Sequence, residues 1–257
     1  MLSMTHAVDA PPKMRVSEHA APLPSWAPPG RSKELVRRFI HFALYHLLLK
    51  RTPRRRTKTV RAAGFRLVVR PSVFHPKFFL SSEIFADFVS RLDLAGKCVA
   101  DVGTGSGIVA LAAARAGAAR VFAIDINPDA ACSAGENTRV NGLSRSCTAL
   151  CSNLLSAVTP KTNFDVILSN PPYFAGEPLD LADRAWHAGP GYRDIAPMFE
   201  QCRERLKPGG RMYLLVSSDS DLDALAAMYR AAGLQARLVL RRGVYFESLL
   251  IFELRPD

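Results

Sequence analysis

The stretch Val99-Ala-Asp101-Val-Gly103-Thr-Gly105-Ser-Gly107-Ile-Val-Ala-Leu-Ala-Ala-Ala114 decides the fold of this 257-residue chain. A short apolar run ends in an acidic residue, passes through three alternating glycines and enters an Ala-rich helix. Glycine is needed where backbone must turn sharply and lie against a ligand with no Cβ in the way. The dinucleotide fingerprint G-x-G-x-x-G would need its third glycine at position 108, which is Ile108. That mismatch counts against a nicotinamide or flavin cofactor held by its pyrophosphate. Asp101, just before the turn, would repel a phosphate and suits a cofactor with a cationic end. Downstream, Arg120-Val-Phe-Ala-Ile-Asp125 reads as a second strand ending in a carboxylate. Asp125 follows Gly107 by eighteen residues, about where an acidic side chain takes ribose hydroxyls in doubly wound nucleotide folds.

Further along, Phe164-Asp-Val-Ile-Leu-Ser169 reads as a buried parallel strand. It runs into Asn170-Pro171-Pro172-Tyr173, a stiff loop in which Pro171 lacks a backbone donor and Pro172 fixes φ. Open α/β sheets place their ligands at this end of the strands. The Asn170 side-chain oxygen and the Pro171 carbonyl are two acceptors suited to the hydrogens of an NH2 group. Tyr173 offers a ring face to the flat group that carries it. By itself the tetrapeptide also fits a Pro-rich turn capped by Asn. With Asp101, the three glycines and Asp125 before it in chain order, it becomes specific.

Asp-Val-Gly-Thr-Gly-Ser-Gly (101–107), Asp-Ile-Asn-Pro (125–128) and Asn-Pro-Pro-Tyr (170–173) resemble the motifs of Rossmann-like class I methyltransferases that use S-adenosyl-L-methionine. Within that class the chain is most similar to HemK-type protein glutamine methyltransferases, from about Val73 to Arg255. Leu206-Lys-Pro-Gly-Gly210 is common in the class, and Trp186-His-Ala-Gly-Pro-Gly-Tyr192 resembles a Gly-rich segment of the short HemK-related subgroup. The resemblance implies an α/β, doubly wound, mostly parallel seven-stranded sheet with a reversed last strand. It places Asp101, Gly103, Gly105 and Gly107 along the methionine part of S-adenosyl-L-methionine and Asp125 on its ribose. Asn153 stands where many relatives carry an Asp for the adenine amine. Asn170, Pro171 and Tyr173 form the catalytic set, with Asn170 also beside the cofactor. Phe74, Ser81 and Ser82 lie in the lead-in that covers the pocket in the family, and His187 sits in the loop that could border the substrate.

The expected activity is N-methylation of a protein glutamine amide, with a translation factor as acceptor. The alternative is a nucleic-acid methyltransferase acting on adenine N6 or guanine N2, whose target base would have to leave any duplex. A non-catalytic protein keeping the cofactor fold is a third reading, against which the intact Asn170, Pro171 and Tyr173 speak.

Charge divides the chain. Residues 1–70 hold 15 Lys/Arg against 3 Asp/Glu, a balance of +12, and the remainder 19 against 20, giving the +11 of the whole. Residues 1–30 read as a disordered Pro-rich leader, 31–72 as a basic helix and a small hairpin turning at Gly64, and 73–257 as the methyltransferase domain. Ser32 could cap a helix over Lys33–Lys50. Its apolar centre, 39–49, is too short for a membrane span of about 20 residues. That helix is expected to dock on the sheet domain. With Arg51-Thr-Pro-Arg-Arg-Arg56 and Lys58 it leaves contact with RNA open, and a peripheral membrane contact is not expected. The opening lacks the basic start and unbroken apolar run of a signal peptide. The five cysteines have no metal or disulfide spacing and read as buried thiols of a reducing, cytoplasmic compartment. Asp219, Asp221 and Asp223 read as caps of a helix over 220–232 rather than a metal cluster.

Overall fold

Two short strands, β1 (Lys58–Ala62) and β2 (Phe65–Val69), pair antiparallel across a turn at Ala63 and Gly64, both at positive φ. Alternate residues Ala62, Phe65, Leu67 and Val69 are buried, which gives the hairpin one apolar face to lay on the main body. The computed structural model describes residues 56–73, 80–244 and 247–257. The leader, the helix expected over Lys33–Lys50, most of the Arg51–Arg56 run, and Phe74 lie outside the described residues.

Helix α1 (Leu80–Ser90) follows. Then strands and helices alternate: β3 (Cys98–Val102), α2 (Ile108–Arg115), β4 (Arg120–Asp125), α3 (Pro128–Val140), β5 (Cys147–Cys151) and β6 (Phe164–Ser169). The chain continues through α4 (Ala196–Arg205), β7 (Leu206–Ser217), α5 (Leu222–Ala231), β8 (Leu234–Val244) and β9 (Glu247–Pro256). Strands β3 to β9 form one seven-stranded sheet in the order β5-β4-β3-β6-β7-β9-β8. All neighbours are parallel except β9, which runs antiparallel to both β7 and β8 and lies between them. The doubly wound sheet with a reversed last strand is therefore present, and the reversed strand is an insertion rather than an edge.

Both faces of the sheet are covered, and the period of two along each strand divides the core. Val99, Val166, Leu168, Tyr213 and Leu215 face the hairpin and α1 to α3. Ala100, Ile167, Met212, Leu214 and Val216 face the side of α4 and α5. The expected turn at Pro208-Gly-Gly210 forms a bulge inside β7, with Gly209 at a φ of +75°, where the pairing with β6 slips between Phe164 and Val166. A Cβ on Gly210 would lie 2.8 Å from the Lys207 carbonyl oxygen, so the bulge needs glycine there. Asp221, with its side chain accepting from the Ala224 amide at 3.0 Å, caps α5 as its position suggests.

Helix α3 pins the hairpin through a polar ladder. Ser133, Asn137 and Asn141, spaced four apart, meet Arg70, Val68 and Arg66, spaced two apart on the free edge of β2. The steps match because four helical residues rise about 6 Å and two strand residues about 6.8 Å. Asn137 is fully buried. It accepts from the Val68 amide at 2.7 Å and donates to the carbonyls of Val68 at 3.0 Å and Ser106 at 2.8 Å. One side chain thereby joins hairpin, helix and glycine turn. Cys98, Cys147 and Cys202 are buried free thiols, as expected. Cys132 and Cys151 are also free but exposed, a departure from the sequence reading that follows from their outward positions on α3 and the edge strand β5. Among the described residues no helix is long and apolar enough to cross a membrane.

Candidate active site

The carboxyl ends of β3, β4 and β6 open into one cavity of about 490 Å³. Its lining includes Asp101, Gly103, Gly105, Asp125, Asn153, Asn170, Pro171 and Tyr173. Residues some 70 positions apart in sequence meet there because β3 lies between β4 and β6. Gly107 is in the turn but does not line the cavity. A Cβ there would lie 3.0 Å from the Ala134 Cβ and 3.1 Å from its Cα, so this glycine lets α3 approach the turn. Gly103 and Gly105, by contrast, have φ of +78° and +56° and no protein atom near where a Cβ would stand. They leave a cradle whose open side is the cavity.

Asp101 alternates with Ala100 and so points to the α2 side of the sheet. It is buried, and its Oδ2 accepts from Thr104 Oγ1 at 2.6 Å and from the Ala110 amide at 3.0 Å. It therefore bridges the glycine turn and the first turn of α2. Burial lifts its carboxyl to about 7; the bonds from Thr104 and Ala110 act against that rise, and nearby Asp125 adds to it. Asp125 Oδ2 accepts from the Gly105 amide at 2.8 Å and Oδ1 from the Asn127 amide at 2.9 Å. Burial raises this carboxyl too, against the pull of those amides. Asn127, in the Asp-Ile-Asn-Pro stretch, accepts from the Asp129 amide at 3.0 Å as the cap of α3, with Pro128 in its first turn.

At the end of β6 the Tyr173 hydroxyl donates to Asn170 Oδ1 at 2.9 Å, and Asn170 Nδ2 donates to Ser81 Oγ at 3.4 Å. Burial drives the Tyr173 phenol well above its usual range, so it stays a donor at any ordinary pH. The loop is held from behind. Tyr192, nearly fully buried, donates to the Tyr173 carbonyl at 3.0 Å and accepts from the Asp221 amide at 2.9 Å. The Phe174 amide donates to the Trp186 carbonyl and the Ala188 amide to the Phe174 carbonyl. The Trp186–Tyr192 segment is thus a clamp on the Asn-Pro-Pro-Tyr loop.

Of the lead-in serines, Ser82 lines the cavity and Ser81 reaches Asn170 instead. His187 lines the cavity, with Nδ1 3.1 Å from Asp183 Oδ2. Sequence reasoning did not single out Ser72, Thr104, Arg184, Met198 or Gln201, which also line it. Only Thr104, inside the glycine turn, carried a usable signal. The others come from segments with no motif.

A parallel sheet with one inserted reversed strand, a glycine cradle between a buried and a half-buried carboxyl, and a proline-stiffened Asn at the same cavity define a Rossmann-like methyltransferase. Residues 85–175 match the family model described as ribosomal protein L11 methyltransferase (PrmA). A Methanocaldococcus jannaschii protein bearing the name protein N5-glutamine methyltransferase is 30% identical over 193 residues, 73% of this chain and 94% of its own. The release factor glutamine methyltransferase of Moorella thermoacetica is 34% identical over 180 residues, and the chain spans 61% of its length. Among solved structures, the Thermus thermophilus 16S rRNA N2 G1207 methyltransferase in complex with AdoMet and guanosine superposes with a TM-score of 0.57 at 23% identity, over 78% of this chain and 50% of that one. The chain belongs to the protein N5-glutamine methyltransferase family.

Proposed function

We propose that the protein methylates a glutamine side-chain amide of another protein, using S-adenosyl-L-methionine. The observation that carries this reading is the sharing of one cavity by the glycine cradle with its two carboxyls and by Asn170 on its stiff loop. The residues fit that donor. Asp125 and Asn153 would take its ribose and adenine, and Gly103, Gly105 and Asp101 its amino-acid end, where Asp101 faces a cationic group. When bound, the donor supplies an electrophilic methyl group on a sulfonium.

The rest of the chemistry falls to the chain's own groups. An amide nitrogen is a weak nucleophile because its lone pair is delocalised. Acceptance of its two hydrogens by Asn170 Oδ1 and the Pro171 carbonyl would return electron density to nitrogen and aim it. Holding both reactants in line can supply roughly 7–11 kcal/mol of the barrier. The Tyr173 ring would cover the charge that develops on nitrogen, worth about 0.5–2 kcal/mol. The name of the Moorella relative points to a release factor as the acceptor.

The test is to incubate the full chain with radiolabelled S-adenosyl-L-methionine and cell extract, then digest with protease or nuclease. Label lost to protease alone, and absent with Asn170→Ala although calorimetric donor affinity is kept, is the expected result. Label lost to nuclease alone, or an Asn170→Ala variant of near wild-type turnover, would overturn it.

A further inference from the structure

The hairpin sets two arginines directly opposite one another. Arg61 on β1 and Arg66 on β2 are register partners, and both are exposed. Cross-strand partners have Cβ atoms about 5 Å apart, and like charges placed so destabilise a hairpin. Neither guanidinium forms an ion pair among the described residues. The arrangement is also rigid. Asn141 accepts from the Arg66 amide at 3.1 Å and donates to its carbonyl at 2.8 Å. The adjoining turn is held by Arg115, which donates to the Ala63 carbonyl at 2.9 Å and stacks its guanidinium 3.8 Å from the Phe65 ring centre. Immediately upstream in sequence lie Arg54, Arg55, Arg56 and Lys58, part of the segment that carries the chain's whole positive excess.

This basic face is remote from the methyl-transfer cavity. Ser72 and Val73, past the far end of β2, line that cavity. The turn at Gly64 instead abuts Arg115 at the carboxyl end of α2, a helix whose amino end is at the cavity. A fixed pair of uncompensated cations, away from the reaction site, calls for an anionic partner that offers closely spaced charges. Guanidinium groups bind phosphate by paired hydrogen bonds, and successive phosphates of one strand lie within reach of two such arms. The outward row of the hairpin, Thr59, Arg61, Arg66 and Val68, has no large apolar side chain to enter a lipid surface. We infer that the Arg61–Arg66 face of the hairpin is a phosphate-backbone docking site for RNA, separate from the methyl-transfer site.

The experiment compares two charge-matched double variants of the full chain, Arg61→Glu/Arg66→Glu and Lys161→Glu/Arg230→Glu. The second pair is exposed and lies elsewhere on the surface. The probes are a fluorescein-labelled oligouridylate read by anisotropy over a salt series, polyglutamate, and vesicles of phosphatidylserine and phosphatidylcholine in equal parts. The expected result is binding of the oligouridylate in preference to the other two. The hairpin variant should bind it about tenfold more weakly, with the salt slope smaller by roughly 1.4, two contacts at about 0.7 each for a single strand. The control variant should bind as wild type, and calorimetric affinity for S-adenosyl-L-methionine should be the same in all three proteins. Equal losses in the two variants would mean that net charge alone drives binding and would overturn the inference. Tighter binding to polyglutamate or to the vesicles, or no binding of the oligouridylate, would do so as well.

Discussion

The Tyr173 hydroxyl donates to Asn170 Oδ1 at 2.9 Å, across only three residues of a loop that two prolines stiffen. The tyrosine therefore has a polar task besides any contact of its ring. It fixes which face of the Asn170 amide carries oxygen, and Ser81 accepts from the nitrogen on the other side. An asparagine free to flip would offer donors where acceptors are needed.

Tyr173→Phe keeps the ring and removes this tie. Turnover of the purified enzyme should fall about fivefold, the effect of losing one hydrogen bond worth about 1 kcal/mol, while calorimetric affinity for S-adenosyl-L-methionine is unchanged. Ser81→Ala should act in the same direction and more weakly, because its contact is longer. Full activity in Tyr173→Phe would leave the ring as the only contribution.

The Asp101 carboxyl ties donor binding to pH. Burial lifts it from 3.8 to about 7 in the folded protein. Between those values the folded chain holds a proton that the unfolded chain has released, so this group lowers stability as pH rises through that window and changes nothing above it. Asp101→Asn should raise Tm at pH 8 relative to wild type, with the gap closing toward pH 4. A cation in the cavity favours the ionised form. Donor affinity of the wild type should therefore climb as pH rises toward 7, with proton release visible in calorimetry in buffers of different ionisation heat. Asp101→Asn should lose that pH dependence and bind about tenfold less tightly, about 1.4 kcal/mol.

Asn137 joins three elements through one buried amide. Asn137→Ala would leave the Val68 and Ser106 backbone groups without their partner in the interior. Urea unfolding should register a loss of about 3 kcal/mol. Because the Ser106 carbonyl belongs to the glycine turn, donor affinity should fall too.

On β9, Glu253 is buried and accepts from Tyr213 at 3.0 Å and from Arg211, Arg237 and Arg255. Burial alone would raise its carboxyl, yet Tyr213, Arg255 and Arg211 hold it below its usual value of 4.5. A lowered carboxyl stabilises the fold above that value and ceases to as pH falls through its folded pKa. Glu253→Gln should melt at a lower temperature than wild type at pH 7, and the difference should shrink below about pH 4.5.

The glycine turn, Asp125 and the Asn-Pro-Pro-Tyr loop were legible because their residue types answer local demands. Positive φ, a missing amide donor and a carboxylate at a strand end are written in the residues that meet them. From these and the alternation of strand and helix, the sequence by itself determined a doubly wound sheet and the three segments that share its cavity. Partners chosen by packing were not legible. Nothing in Gly107 tells that Ala134 backs onto it instead of a ligand, nor in Tyr173 that its hydroxyl turns to Asn170. The insertion of β9 between β7 and β8 rests on pairings across the whole sheet. The ladder of Ser133, Asn137 and Asn141 needs the rise of a helix to fall in step with the edge of β2, and the facing of Arg61 with Arg66 needs the register of a hairpin. Such contacts belong to residues whose own preferences are weak. Only the tertiary structure, where burial makes each unpaired polar group costly, decided where they point.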